Sequence, residues 1–536
     1  MQHITKPLAP LQYWGKRIIV GLLYLISFYL VLTIYLQGEL LFALLVLIVV
    51  TTGIFVFSNA RSYRWRYLFP GVSAIGIFVV FPLLCTVLIA FTNYSGSNQL
   101  TFERVLQQLQ TQRYFSGERF QFKLLERAED SNEASSNTSN NGEKQYQLLL
   151  ENRKLQKFYL SEPLVLTDIA LNGMATNITV DTIANEPSLK VASLKIITQH
   201  RQHLQRLNVT LPTNEMVTMS SLRQFAQQSP RFHFDSDTQI LTNQETNERY
   251  RPNDDIGFFE QIDARNNFNG KRLEPGYIVG NGWTNFTKIL TDEGIQKPFL
   301  QIFIWTVTFS LLTVLFTTLL GMVFASLVQW DALKGKAIYR LLLILPYAVP
   351  GFISILVFKG LFNQSFGEIN LILDALFGIR PEWFNDPFLA KVMILIVNTW
   401  LGYPYVMIVC MGLLKAIPTD LYEASAIDGA GVWQNFTRIT MPLLIKPLMP
   451  LMIASFAFNF NNFVLIQLLT EGHPAMIGTS TPAGHTDLLV SYTYRIAFEG
   501  SGTQDFGLAA AISVIIFLLV SGLALFQMRM TKLSQN

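Results

Sequence analysis

The sequence predicts a mainly α-helical membrane protein with eight transmembrane helices and a large, mostly β extracytoplasmic domain inserted after the third helix. Composition is the first observation. Of the 536 residues, 50% are hydrophobic and 14% are charged, against about 25% charged in soluble chains. The second observation is the charge distribution, since residues 92–297 hold 46 of the 77 charged residues. One segment therefore resembles a soluble domain, and the rest is too apolar for water. The net charge of +3 is too small to indicate nucleic-acid binding.

The transmembrane helices are predicted from stretches without charged residues, because a helix that crosses the bilayer needs about 20 mostly apolar residues. Eight stretches qualify, at 18–38, 40–60, 68–91, 298–328, 341–358, 392–414, 447–470 and 506–528. The chain then divides into residues 1–91 with three helices, the outer domain 92–297, residues 298–528 with five helices, and a tail at 529–536. None of these stretches contains Asp, Glu, Lys, Arg or His, which argues against a carrier driven by protons or ions.

The orientation in the membrane is predicted from Lys and Arg in the short connections. The two termini and the loops after spans two, four and six together carry 14 of these residues, whereas the opposite short loops hold Arg380 and Arg495, with Lys359 and Lys391 at span edges. Cytoplasmic loops are the ones enriched in Lys and Arg. Both termini are therefore expected in the cytoplasm, and the domain 92–297 is expected outside.

The outer domain is expected to be mostly β with small helices. Alternating runs at 120–124 and 146–150 predict half-buried strands, and 235–237 predict a hairpin turn. Residues 219–228 predict a helix that begins at a serine cap, and the polar run 131–142 predicts a flexible loop. His200, His203 and His233 are scattered among polar residues, which indicates a solvated surface. The domain is either a docking platform for a soluble partner or a passive extension.

The cytoplasmic loop 414–446 contains the sharpest motif in the chain. A short helix is expected after Pro418, and Gly429 is expected in a turn because glycine tolerates left-handed backbone conformations. Small residues there would let another surface approach closely, and Glu423 would offer a fixed charge to a basic partner. The alternative is an ordinary amphipathic connector. The chain has no Gly-x-x-x-x-Gly-Lys-Ser/Thr phosphate loop, so it is not expected to hydrolyse ATP itself.

This loop resembles the EAA motif of ABC importer permeases, Glu-Ala-Ala-x3-Gly-x9-Ile-x-Leu-Pro, with Ser425 at the third position and Met441 in place of the leucine. The segments FNQSFGEIN (362–370), NTWLGYPYVM (398–407) and FAFNFNNFVLIQLLT (456–470) are similar to the larger permease subunits of bacterial maltose/maltodextrin importers. The resemblance implies a type I ABC importer permease core in the bacterial inner membrane. It also implies a second permease subunit, a dimer of ABC ATPase subunits docked at loop 414–446, and a periplasmic sugar-binding protein at the outer domain. The residues that the resemblance implies for coupling to the ATPase are Glu423, Ala424, Ser425, Asp428, Gly429, Ile439 and Pro442. ATP and Mg would act on the ATPase subunits, so no cofactor is expected on this chain.

A substrate site is predicted from uncharged polar residues in spans six and seven. Ser455, Asn459, Asn462 and Ile466 follow the spacing of one helix face, with Phe458 beside it and Asn461 off it, and Asn398, Gly402 and Tyr405 repeat the pattern in span six. Amides, a phenol and aromatic faces suit a neutral polyhydroxyl ligand, whereas the alternative is hydrogen bonding between packed helices. The family resemblance implies that the residues at or near bound maltose or maltodextrin are Leu401, Gly402, Tyr405, Ser455, Phe458, Asn459, Asn462 and Val464.

Three classes of function remain at this point. They are the non-catalytic permease subunit of an ATP-driven sugar importer, a membrane channel or insertase with an outer domain, and a receptor. A channel or insertase would not require a loop that docks an ATPase, and a receptor would be expected to carry a cytoplasmic output domain. The motif at 423–442 therefore favours the importer.

Overall fold

The computed structural model describes residues 10–127, 145–152, 157–165, 172–178, 189–213, 216–330, 332–500 and 504–533. The chain forms two compact units, one made of Met1–Gly96 with Gly280–Asn536 and the other of Ser97–Val279. The predicted flexible loop at 131–142 lies outside the described residues.

The first unit is helical. Its helices are α1 (Pro10–Leu36), α2 (Leu40–Ser58), α3 (Trp65–Ile75) and α4 (Phe81–Ala90), the last two joined by a π-turn, Gly76–Val80. After the outer unit come α8 (Thr284–Thr291), α9 (Glu293–Gln329), α10 (Lys336–Ala348), α11 (Gly351–Leu361), α12 (Glu368–Phe377), α13 (Pro387–Leu414), α14 (Asp420–Ile427), α15 (Val432–Asn435), α16 (Met441–Phe460), α17 (Phe463–Leu469), α18 (Leu489–Phe498) and α19 (Phe506–Leu533).

The membrane spans agree with the sequence prediction in number and differ from it in two places. Within the described residues, seven helical segments are long and apolar enough to cross a membrane, and the pair α10 and α11, bent by 93° at its break, makes an eighth if it counts as one span. The predicted continuous span 341–358 is therefore wrong, because Pro350 lacks a backbone N–H and starts a new helix. The predicted span 447–470 is also interrupted, since α16 ends at Phe460 and α17 begins at Phe463.

The second unit, Ser97–Val279, is narrower than the predicted domain 92–297. Residues beyond Val279 belong to the helical unit, as hydrogen bonds show. The side-chain nitrogen Nδ2 of Asn285 donates to the carbonyls of Ala90 at 2.9 Å and Thr92 at 2.8 Å. Ile289 is buried in the same apolar cluster as Ala90.

The outer unit is mostly β, as predicted, and its described residues include three short helices. The helices are α5 (Phe102–Thr111), α6 (Leu194–Gln199) and α7 (Arg201–Arg206). The strands are β1 (Asn98–Leu100), β2 (Arg113–Arg127), β3 (Gln145–Asn152), β4 (Lys157–Ser161), β5 (Leu164–Val165), β6 (Asn172–Ile178), β7 (Leu189–Val191), β8 (Asn208–Thr210), β9 (Met216–Ser221), β10 (Gln224–Pro230), β11 (Phe232–Asp235), β12 (Ile240–Asn243), β13 (Arg249–Asn253), β14 (Phe258–Ile262), β15 (Phe268–Leu273) and β16 (Gly276–Tyr277).

The described residues of this unit form three sheets, of which the two larger each carry an apolar core, while β1 pairs with β16 in a two-stranded sheet. The larger sheet has the order β5-β3-β4-β6-β8-β9-β10-β2-β7, and an added pairing of β2 with β3 closes it on itself. Its core includes Phe120, Leu150 and Phe225. The smaller sheet is an antiparallel meander, β11 to β15, and its core includes Tyr250 and Phe259. The unit thus has the packed interior of an independent domain.

Three of the four elements predicted in the outer unit are present. Residues 120–124 and 146–150 lie in β2 and β3, and residues 235–237 lie at the hairpin between β11 and β12. The helix predicted over 219–228 is wrong, because these residues form the hairpin of β9 and β10. There Phe225 is fully buried and pairs with Phe120 of β2. Pairing with a neighbouring strand therefore favours the strand conformation here, although the serine locally favours the start of a helix.

Arg495, which the sequence placed in a short outer loop, is buried in the helical unit. Its Nη1 donates to Oδ2 of Asp487 at 2.8 Å, and Nε contacts Oε2 of Glu499 at 3.0 Å. Asp487 also accepts from the backbone nitrogen of Gly484 at 2.7 Å. The buried ion pair of Arg495 and Asp487 therefore fixes the connection between α17 and α18.

Candidate functional site

The helical unit encloses a cavity of about 740 Å³ between α9, α10, α11, α13, α16 and α17. This volume lies within the range of about 300–1,000 Å³ for small-molecule sites. Among the described residues that line it, none is Asp, Glu, Lys, Arg or His. The cavity can therefore offer hydrogen bonds and aromatic surface to a ligand, and no formal charge.

All eight residues predicted for the substrate site line this cavity. They are Leu401, Gly402, Tyr405, Ser455, Phe458, Asn459, Asn462 and Val464. Asn461, predicted to face elsewhere, is exposed and is not part of the lining. Their contact with a sugar stays a prediction, but the structure brings them to one place.

The prediction that Asn462 shares one helix face with Ser455 and Asn459 is wrong. Ser455, Asn459 and Asn462 do not share one continuous helix, because α16 ends at Phe460. Asn462 instead caps α17, accepting a hydrogen bond from the backbone nitrogen of Leu465 at 3.4 Å. Ile466, assigned to the same face, is fully buried and lies outside the lining.

Asn398 of α13 forms hydrogen bonds with the other polar side chains on one side of the cavity. Its Nδ2 donates to Oδ1 of Asn459 at 2.7 Å and to Oγ1 of Thr313 at 3.2 Å. Its Oδ1 accepts from Nδ2 of Asn462 at 3.2 Å. Asn459 in turn donates to the carbonyl of Ser455 at 2.8 Å. This network joins α9, α13, α16 and the start of α17 and fixes the direction of each amide, so the predicted alternative of interhelical hydrogen bonding is also present.

Aromatic side chains form the other side of the cavity. Phe458 is 72% exposed and lines the cavity, so its ring is available to a ligand. Tyr405 stacks on Tyr347 of α10, with ring centroids 6.5 Å apart and planes 23° apart. Parallel rings of this kind provide a flat apolar surface for the C–H face of a ligand.

The sequence did not identify several lining residues. Thr313 and Thr317 come from α9, and Tyr347 and Phe352 flank the break between α10 and α11. The break itself had a signal, since Pro350 and Gly351 follow each other in the middle of an apolar stretch. Packing also explains why glycine occupies position 402, because a Cβ there would lie 2.8 Å from Cγ2 of Thr317.

The residues predicted to couple this chain to the ATPase lie in and after α14, on a connection between α13 and α16 in which few residues are buried. Glu423, Ala424 and Ser425 belong to α14, and Glu423 and Ala424 are exposed. Asp428 ends the helix, and Gly429 follows with φ +76°. A left-handed residue at this point favours glycine. Ile439 lies in a π-turn, Phe436–Thr440, and Pro442 lies in the first turn of α16.

The same connection has a hydrogen bond that fixes α14 and a group of exposed apolar side chains. The hydroxyl of Tyr422 lies 2.9 Å from Oγ1 of Thr440, which ties α14 to the start of α16. Ile427 is 87% exposed and Trp433 is 73% exposed, with Val432 exposed beside them. A contiguous exposed apolar surface is typical of contact with a partner or with the membrane. The sequence pointed to the charge and the small residues of this loop, whereas this apolar group was not predicted.

The histidines of the outer unit are less scattered than the sequence indicated. Nδ1 of His200 lies 3.4 Å from Nδ1 of His203, and the His200 ring is tilted against Tyr146. Burial, and then the charge of His203, lower the pKa of His200. His233 is exposed on β11, as expected.

Three sequence families match the chain in succession. "MalF, N-terminal region, transmembrane helices" matches residues 14–61, "Maltose transport system permease protein MalF P2 domain" matches residues 100–282, and "Binding-protein-dependent transport system inner membrane component" matches residues 317–532. Together with the helices and sheets described above, these matches confirm an ABC importer permease fold with an inserted β-rich domain.

Whole-length relatives agree with the family matches. The "Maltose/maltodextrin transport system permease protein MalF" of Klebsiella aerogenes is 56% identical over 515 residues, which is 96% of each chain. The protein of that name from Escherichia coli (strain K12) is 55% identical over 518 residues, 97% of this chain and 96% of the relative. That of Yersinia pestis is 56% identical over 519 residues, 97% and 94%.

These matches decide between the three classes of function. They confirm a multi-pass inner-membrane permease subunit of an ABC importer, as predicted, over a channel, an insertase or a receptor. The chain belongs to the MalF family of maltose/maltodextrin transport system permease proteins.

Proposed function

We propose that this permease subunit moves maltose or maltodextrin-like sugars through the cavity between α9 and α17. Two independent observations support the proposal. The relatives are named for maltose and maltodextrin transport, and the described lining combines amides, hydroxyls and aromatic rings with no formal charge. A neutral sugar needs hydrogen-bonding groups for its hydroxyls and flat apolar surface for its C–H faces.

The sugar would contact both sides of the cavity. Its hydroxyls would meet Ser455, Asn459 and Asn462, and its rings would stack on Phe458 and Tyr405. Each amide keeps capacity beyond the Asn398 network, because an amide oxygen has two lone pairs and an amide nitrogen has two hydrogens. Asn398 would thus hold the amides in place while their remaining groups bind the sugar.

ATP-driven partners would supply the energy for transport. We propose that a dimer of ABC ATPase subunits docks on loop 414–446, with Glu423 as a charged anchor and Ile427 and Trp433 as apolar contacts. ATP and Mg would be bound by those subunits, and this chain would bind no cofactor. Closure of the ATPase dimer would move α14, and the cavity would alternate between outward and inward exposure.

Two further partners complete the proposal. A second permease subunit would pack against the exposed apolar helices of the helical unit, alongside membrane lipid. A periplasmic sugar-binding protein would dock on the outer unit, Ser97–Val279. Both termini would lie in the cytoplasm, which follows from the distribution of Lys and Arg.

The uncharged cavity is the observation that carries the proposal, and a charged sugar tests it. Proteoliposomes with the complete transporter, its binding protein and internal ATP should take up maltose faster than maltobionate, its carboxylate analogue. A carboxylate in this cavity would lose its hydration without gaining an opposite charge. Affinity of the binding protein for each sugar is measured separately, so that rates are compared at equal saturation. Equal uptake of the two sugars under that condition would contradict the proposed site.

A further inference from the structure

The turn between α2 and α3 carries a cluster of arginine and aromatic side chains. Arg61 and Arg64 are exposed, and so are Tyr63, Trp65 and Tyr67. The sequence contains no Asp or Glu between Glu39 and Glu103. The turn therefore concentrates positive charge without a local carboxylate to neutralise it.

A third arginine of the turn has a structural task. Arg66 donates from Nε to the carbonyl of Val56 at 3.2 Å, and from Nη2 to the carbonyls of Phe57 at 2.9 Å and Asn59 at 3.4 Å. These are carbonyls at the end of α2 that lack partners within the helix. Its guanidinium also lies 5.5 Å from the centre of the Tyr63 ring. Arg66 thus makes the turn rigid, and its charge is largely used within the protein.

Arg61 and Arg64 are placed differently. Among the residues that the structure describes, no carboxylate forms an ion pair with either guanidinium. The turn that carries them is fixed by the backbone nitrogen of Arg61, which donates to Oδ1 of Asn59 at 3.0 Å, and by the Tyr63 and Tyr67 hydroxyls, 2.9 Å apart. Two cationic side chains are therefore displayed from a well-defined backbone.

The position of the turn identifies what these side chains would meet. α2 is an apolar helix that ends at Ser58, and the apolar span Trp65–Ala90 begins immediately after the turn. The turn therefore lies where two membrane helices leave the hydrocarbon layer. Trp and Tyr are enriched at this level, beside the lipid headgroups. Arginine binds phosphate through two parallel hydrogen bonds.

We propose that Arg61 and Arg64 form a binding site for the phosphate of an anionic phospholipid, with Trp65 and Tyr67 packed beside the headgroup. The site goes beyond sugar transport and does not depend on it. Its ligand is a membrane lipid with a net negative charge, such as phosphatidylglycerol. A zwitterionic lipid such as phosphatidylethanolamine would bind less well, because its ammonium group competes with the two arginines.

Native mass spectrometry of the full-length protein tests the site. The protein is reconstituted in vesicles of equal phosphatidylethanolamine and phosphatidylglycerol, extracted in mild detergent, and titrated with each lipid. Wild type should retain phosphatidylglycerol preferentially. The Arg61→Gln/Arg64→Gln variant should bind it about thirtyfold more weakly, from the attraction that two basic residues add at an anionic surface. Arg66 is left intact so that the end of α2 keeps its cap.

Three comparisons separate a lipid site at this turn from general charge attraction and from binding of free phosphate. Arg119→Gln/Lys123→Gln removes the same charge from two exposed residues of the outer unit and should leave lipid binding unchanged. Arg61→Lys/Arg64→Lys should bind the lipid more weakly than wild type and more tightly than the glutamine variant, because lysine keeps the charge and loses the paired hydrogen bonds. This variant keeps the proposal testable if the glutamine variant inserts poorly. Inorganic phosphate at matched concentration should not displace the lipid. Equal retention of the two lipids, unchanged binding in the glutamine variant, equal loss in the outer-unit control, or displacement by inorganic phosphate would each overturn the proposal.

Discussion

Replacing Asn459 by leucine tests the polar side of the cavity, because leucine keeps the approximate size and removes both hydrogen-bonding ends. The change deletes the 2.7 Å bond from Asn398 and the 2.8 Å bond to the carbonyl of Ser455. It also removes the groups proposed to meet a sugar hydroxyl. A buried polar group that loses its partner costs about 1–3 kcal/mol.

The expected consequence is a loss of transport. If one such contact to the sugar is lost, uptake should fall roughly tenfold or more, since about 1.4 kcal/mol corresponds to one factor of ten. Uptake is measured in proteoliposomes at matched protein content, together with ATP hydrolysis in the absence of sugar. Retained basal hydrolysis would place the defect at the sugar and not at folding or coupling.

Asn461→Leu is the matched control. Asn461 is exposed, and its Nδ2 donates to the carbonyl of Ala457 in α16 at 3.3 Å. Asn461 caps the end of α16 through its backbone N–H, which leucine retains. Uptake should therefore stay within about twofold of wild type, as is usual for an exposed side chain.

Phe458→Ala separates the sugar from the amide network. Phe458 is 72% exposed, so its removal should affect folding little while it removes a stacking surface, and uptake should fall by a comparable factor. If Asn461→Leu abolishes uptake while Asn459→Leu and Phe458→Ala leave it intact, the assigned cavity face is wrong.

Three further predictions concern the coupling loop and the outer unit. Gly429→Pro should abolish the stimulation of ATP hydrolysis by sugar and binding protein, because proline cannot adopt the φ of +76° found there. Gly431→Ala is the control, since Gly431 has a φ of −74°, and this variant should keep the stimulation. Full stimulation in the proline variant would refute the assigned turn. The isolated unit Ser97–Val279 should bind the periplasmic sugar-binding protein by calorimetry, and no binding together with unchanged transport after its deletion would exclude that partner. Hydrogen bonds from Lys271, Tyr250 and Thr246 lower the pKa of Glu248 to about 2 from 4.5. A carboxylate with a lowered pKa stabilises the fold above its unfolded pKa and loses that contribution as pH falls through the folded pKa. The difference in melting temperature between the wild-type outer unit and its Glu248→Gln variant should therefore shrink from pH 5 towards pH 2. A difference that stays constant with pH would contradict this prediction.

Much of the fold was predictable because charge and apolar length are strong signals in a membrane protein. The eight spans and the soluble-like insertion follow from where the chain carries ionisable groups. The strands at 120–124 and 146–150 followed from alternation, since a half-buried strand shows one face to the core. Residues 219–228 failed because their strand conformation depends on β2, which lies about a hundred residues earlier in the chain, and local propensity does not contain that pairing.

The cavity was predictable in part of its lining and not in its geometry. Helical spacing placed Ser455 and Asn459 on one face, and both line the cavity, but it extended one helix through Asn461 and Asn462. Consecutive asparagines are a capping signal, and Asn462 does cap α17. Tyr347 could not be placed, because its position depends on the 93° bend between α10 and α11. A bend after Pro350 is expected from sequence, whereas its angle is set by packing.

The most direct test of the proposed sugar site is a structure of the assembled transporter with maltose bound during turnover. We expect density for the sugar inside the cavity, with a ring stacked on Phe458 or Tyr405 and hydroxyls within hydrogen-bond distance of Asn459 and Asn462. Sugar density outside this cavity, with the network of Asn398 undisturbed and no ligand beside Phe458, would contradict it.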